Sequence, residues 1–150
     1  MHGTGPRVWN ALIRTHHITS RKKVAKLRQA ATANDVFVLL RSGGSPGIMY
    51  VEGGQRPVED WVAAVHVSER LRADENDLLT ISQNLRYKDY QLVTRPNETN
   101  RERDTKELHL RPPGLYETDS VKDFGDQMQQ RGVFAWWRKG MVYADQPERL

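Results

Sequence analysis

The chain has 150 residues, 37% hydrophobic and 28% charged, with a mean hydropathy of −0.74. Such a chain suits one domain with a modest core. No apolar run approaches the roughly 20 residues a membrane helix needs, and the absence of cysteine excludes disulfides and thiolate metal sites. The net charge of +4 admits an anionic partner, and its distribution says more than the sum. Residues 1–34 hold seven Lys/Arg and no acid, whereas the rest holds 16 bases against 19 acids.

Residues 1–6 contain two glycines and a proline with nothing to bury, and are expected to be flexible. The N-terminus has no apolar segment of the secretory type, so a nuclear or cytoplasmic rather than secreted protein is expected. Residues 7–150 are expected to form a single domain. Arg7 to Ile18 reads as a first strand, and Thr19 and Ser20 offer a helix N-cap. From Arg21 to about Ala33, Val24, Leu27 and Ala31 recur at helical spacing, and Asn34-Asp35 ends the helix. Its outer face would carry Lys22, Lys26 and Gln29. Val36 to Leu40 is an unbroken apolar run, as in a strand buried on both faces. Ile48 to Val51 is a second such run. Between them, Ser42 to Gly47 has three glycines and a proline in six residues, which fits a glycine-rich hairpin loop.

Pro57 suits the first turn of a second helix, with Glu59 and Asp60 at the positive end of its dipole. Val58, Trp61, Val62 and Val65 share one face and should meet the same core as Val36, Val38 and Leu40. Leu85 to Val93 reads as a fourth strand, and residues 95–107 as a mobile polar loop. A short extended piece is expected at Leu108–Leu110, followed by the Pro112-Pro113-Gly114 break. Ser120 heads a capping-box-like start, Val121, Phe124 and Met128 share a face, and Gly132 is a natural stop. The segment Val133–Met141, with Trp136-Trp137, should dock on the domain. The order is β-α-β-β-α-β, which makes the fold class α/β (α+β): a ferredoxin-like sandwich with a C-terminal helical extension.

Several groups invite a chemical role. The basic first helix, with Arg21, Lys22, Lys23 and Lys26, could neutralise phosphates, against the plainer reading of a solvated helix face. The Ser42–Gly47 loop, including Gly43 and Gly44, could offer backbone N–H groups to a phosphate, with Arg14 and Arg41 nearby. It lacks the Gly-Lys-Ser/Thr ending of a nucleotide loop. His16 and His17 are strand neighbours that point to opposite faces, so they cannot chelate one ion together; one is expected to stack on a base or meet a phosphate. Tyr50, Tyr87 and Tyr90 could present stacking surface, but the RNP pattern is absent from 48–53 and packing is the preferred role. There is no Gly-x-Ser-x-Gly elbow and no His-Glu-x-x-His, so neither catalysis, nor a metal, nor a cofactor is expected.

Thr15-His16-His17-Ile18, the basic helix after it, Ser42 with Pro46-Gly47, the strand end Val51-Glu52-Gly53, Arg86-Tyr87 and Asp123-Phe124-Gly125 occur in an order and spacing that resemble a known family. It is the C-terminal domain of a small nuclear ribonucleoprotein splicing factor of the tri-snRNP, a domain of unknown function that also follows the RWD domain in RWD-domain-containing proteins. The resemblance runs from about Trp9 to Tyr143. It implies a ferredoxin-like domain that contacts small nuclear RNA. The expected RNA-binding residues are Arg14, His16, His17, Arg21, Lys22, Lys23, Lys26, Arg41, Ser42, Gly43 and Gly44. The alternative it implies is a protein–protein adaptor, like the domain that follows RWD. No membrane and no small-molecule cofactor is expected.

Overall fold

The apolar runs flank turns that end them for identifiable reasons, and the strands so delimited assemble one sheet. The structure, a computed structural model, describes residues 8–15, 21–42, 47–75, 91–99 and 111–145. Among them are β1 (Trp9–Thr15), α1 (Arg21–Asn34), β2 (Phe37–Arg41), β3 (Gly47–Gly53), α2 (Gln55–Glu75), β4 (Gln91–Glu98), β5 (Gly114–Thr118), α3 (Val121–Gln130) and α4 (Phe134–Asp145).

The strand order is β4-β1-β3-β2-β5. Within β4-β1-β3-β2 every neighbour is antiparallel, which is the split βαβ arrangement predicted from element order. The sheet departs from the plain ferredoxin-like form by its fifth strand, β5, which lies parallel to β2 with Phe37 opposite Gly114 and Arg41 opposite Thr118.

Alternation along the strands divides the apolar side chains between two cores. Ala11, Ile13, Val38, Leu40, Met49 and Val51 pack with Val24, Leu27 and Ala31 of α1 and with Val58, Trp61, Val62 and Val65 of α2. Leu12, Phe37, Leu39, Ile48 and Tyr50 pack on the opposite face with Phe124, Met128, Val133 and Trp137 of the C-terminal region. The helices thus cover the sheet on both sides, which is why Val36 to Leu40 carries no polar residue.

The helix ends follow from local chemistry. Asp35 takes φ 57; its N–H donates to the Thr32 carbonyl and that of Val36 to the Ala31 carbonyl, at 3.2 and 3.1 Å. This is a Schellman ending with Asp in the left-handed position that glycine usually fills. Gly132, at φ 77, ends α3 the same way: its N–H donates to Gln129 and that of Val133 to Met128. Ser120 caps α3, its side chain accepting from the Asp123 N–H. Gly140 lets α4 approach the sheet, because a Cβ there would come within 2.9 Å of Leu12.

β1 is described over Trp9–Thr15, and residues 16–18 of the expected first strand lie outside the described residues. Three expectations are corrected. β4 runs through Glu98, so residues 95–98 are strand and not loop. Pro96 is tolerated because β4 is an edge strand whose pairing with β1 shifts register between Asn10 and Leu12, and again between Leu12 and Ile13. β5 was not anticipated after the Pro112-Pro113-Gly114 break. Val121 is exposed and does not join Phe124 and Met128, because it is the first helical residue. The expectations for residues 1–6, the N-cap at Thr19 and Ser20, residues 85–90 and residues 100–110 lie outside the described residues.

Candidate functional site

β1 and β2 run parallel, with antiparallel β3 between them. The end of β1, the start of α1, the end of β2 and the end of β5 therefore meet at one end of the sheet. Six of the expected binding residues with described positions, Arg14, Arg21, Lys22, Lys23, Arg41 and Ser42, belong to these segments, and Lys26 follows about one turn along α1. His16, His17, Gly43 and Gly44 lie outside the described residues.

The sheet separates this basic group into two sides. Arg14 and Arg41 both sit opposite Ile48, Arg14 from β1 and Arg41 from β2. Their backbones are about 10 Å apart, two strand spacings. Each follows a residue of the second core by two positions, Leu12 and Leu39, so both belong to the α3/α4 side. Arg41 donates from Nε to the Asp119 carbonyl at 3.3 Å. The lysines lie in the opposite layer, on α1. Lys22 and Lys26 are exposed, and Lys23 is half-buried. Lys22 and Lys26 make no ion pair among the described residues.

Arg21 is engaged within the chain. Its Nη1 and Nη2 donate to Oε1 and Oε2 of Glu117 on β5, each at 2.9 Å. Arg28 Nη2 donates to the same Oε2 at 3.0 Å, and the Ser42 hydroxyl donates to Oε1 at 2.9 Å. These hydrogen bonds, that of Arg21 foremost, hold the Glu117 carboxyl down to about 2 from an ordinary 4.5. A carboxylate whose folded value is depressed adds stability that is fully present above pH 4.5 and is lost as pH falls toward 2. Glu117→Gln should thus lower Tm at neutral pH, with the difference from wild type shrinking through that acid window. A difference that stayed constant down to pH 2 would contradict the assignment.

A second polar cluster lies under the α3–α4 turn. Arg131 donates to Glu52 through Nε at 3.2 Å and Nη2 at 2.7 Å, with both side chains buried. The Tyr50 hydroxyl donates to Glu52 Oε1 at 2.6 Å and accepts from Asn10 Nδ2 at 3.3 Å. Burial first, then the Glu52 charge, pushes the Tyr50 phenol well above 10.0. The Arg131 guanidinium also lies 3.6 Å over the Phe37 ring. This cluster is sealed from solvent and joins α3–α4 to β3. Tyr50 is fully buried and offers no stacking surface; Tyr87 and Tyr90 lie outside the described residues. Trp137 packs on Phe124, and Trp136 meets Tyr50 edge-on, so the Trp pair docks on the sheet.

Sequence reasoning missed Glu117, Arg28 and the Glu52–Arg131 pair. Their partners are far apart in the chain, and the one available signal was an acid, Glu117, in a short Leu-Tyr-Glu-Thr segment. Among the described residues no helix is long and apolar enough to cross a membrane, and no group of three or more His, Asp or Glu could hold a metal. No protein-family model and no curated protein matches the chain.

Proposed function

We propose that this domain is a non-catalytic RNA-binding module that holds phosphates through the exposed face of α1 and the adjoining end of the sheet. The observation that carries this reading is the acid-free run of residues 1–34, whose lysines Lys22 and Lys26 stand exposed on α1; Arg14 and Arg41 lie at the same end of the sheet, on its other side. The resemblance to the C-terminal domain of the tri-snRNP splicing factor points the same way and would make the protein nuclear or cytoplasmic. Base stacking on the sheet has no support, because α3 and α4 cover the face that Tyr50 and Phe37 occupy. Phosphate contacts therefore dominate, and they carry no sequence information.

Changing Lys22, Lys23 and Lys26 to Glu should weaken binding to unrelated RNA sequences about equally, measured by fluorescence anisotropy with the fold checked by circular dichroism. For an RNA duplex, each lost contact should also flatten the salt dependence of log K by roughly 0.9, taking the B-DNA value as a guide. Unchanged affinity in a folded triple variant would overturn the RNA reading and favour the protein adaptor.

A further inference from the structure

The arginines nearest the lysine face are held by an acid from the far end of the chain. Arg21 Nη1 and Nη2, Arg28 Nη2 and the Ser42 hydroxyl converge on one carboxylate with four hydrogen bonds of 2.9 to 3.0 Å. Two positive charges and a hydroxyl around one oxyanion are the components of a phosphate site, and the guanidinium fork fits phosphate as well as it fits carboxylate. The arginines also face outward. Their side chains are 67% and 48% exposed, whereas that of Glu117 is 23% exposed. Glu117 thus holds them from the sheet side, and their outer surfaces stay open to solvent. Arg21 and Arg28 are seven residues apart and share one flank of α1, about 100–120° around the helix from Lys22, so a backbone running along that flank would meet both beside Lys22.

We propose that Glu117 is a built-in competitor of RNA: it occupies a phosphodiester-binding position formed by Arg21, Arg28 and Ser42, and so limits the affinity of the basic face. This inference rests on the RNA reading and adds its regulation. While Glu117 is in place, it offsets one of the two arginine charges and engages both guanidinium groups, and the lysines carry most of the binding. When it is removed, the same arginines are released to the phosphates.

The test is a double-mutant cycle on the full chain. Wild type, Arg28→Gln, Glu117→Gln and the double variant are titrated with a fluorescein-labelled, uridine-rich single-stranded RNA at several salt concentrations. Arg28→Gln alone should change affinity by less than about twofold. Glu117→Gln should tighten binding by roughly fivefold per arginine released at about 0.1 M salt, and steepen the salt dependence by roughly 0.7 per contact. In that background, Arg28→Gln should cost roughly fivefold. If Glu117→Gln does not fold, Glu117→Asp carries the same cycle at unchanged net charge, by withdrawing the carboxylate one methylene from the arginines. Equal effects of Arg28→Gln in both backgrounds would overturn this inference alone, provided the lysine variant still loses affinity. No RNA binding by any of the four proteins would overturn it together with the RNA reading.

Discussion

Arg131→Met should lower the stability of the fold by about 3–5 kcal/mol, the usual cost of removing one partner of a buried ion pair. Its guanidinium makes two hydrogen bonds to Glu52 and covers the Phe37 ring. Methionine fills part of the volume but takes from the buried Glu52 carboxylate two hydrogen bonds and its ion-pair partner. The loss comes mainly from that stranded charge. Replacing Glu52 and Arg131 together by apolar residues of similar volume should therefore recover most of it. Urea unfolding of the two singles and the double measures this. A single variant within about 1 kcal/mol of wild type would mean that the pair does not hold α3–α4 on the sheet.

Trp61→Ala should cost about 3–5 kcal/mol as well, by a different mechanism. Trp61 is fully buried between α2 and the sheet, packed among Val58, Val62, Val65 and the inward residues of β2 and β3. Its indole N–H has no hydrogen-bond partner among the described residues, so its contribution is packing, and truncation leaves a cavity. Trp61→Phe should cost much less, since it retains most of the apolar contact and removes an unpaired donor. An unchanged melting temperature in Trp61→Ala would contradict the packing of α2 on this sheet.

These two sites differ in how far the sequence revealed them. Trp61 was legible because Val58, Trp61, Val62 and Val65 repeat at helical spacing, a pattern contained within eight residues. The β2–β3 hairpin was equally legible, since two apolar runs flank a glycine-rich turn. Arg131 was not, because it meets Glu52 across 79 positions. A lone arginine beside Gly132 looks like any basic residue near a helix end. β5 escaped notice because it is only five residues long and offers Leu115 to one core and Tyr116 to the other. That leaves no long alternation to detect. β4 was displaced because Pro96 and its polar neighbours suggest a loop. Pairing with β1 along an irregular edge outweighs that local preference.

The candidate site divides along the same line. The excess of bases in residues 1–34 is a property of composition and is read directly from the chain. Which of those bases remain available is a property of the fold. Arg21 and Lys22 are adjacent in sequence, yet Arg21 is paired with Glu117, 96 positions away, and Lys22 is exposed. Only the tertiary arrangement distinguishes them.

The claim that α1 and the sheet end hold RNA phosphates is tested most directly by a salt titration of the wild-type protein. Two single-stranded RNAs of unrelated sequence would be measured by anisotropy from about 0.05 to 0.3 M salt. With Lys22, Lys23 and Lys26 as the principal contacts, log K should fall linearly with log salt, at a slope of roughly −2 for both RNAs. Binding that is absent at the lowest salt, or that does not change with salt, would contradict the claim.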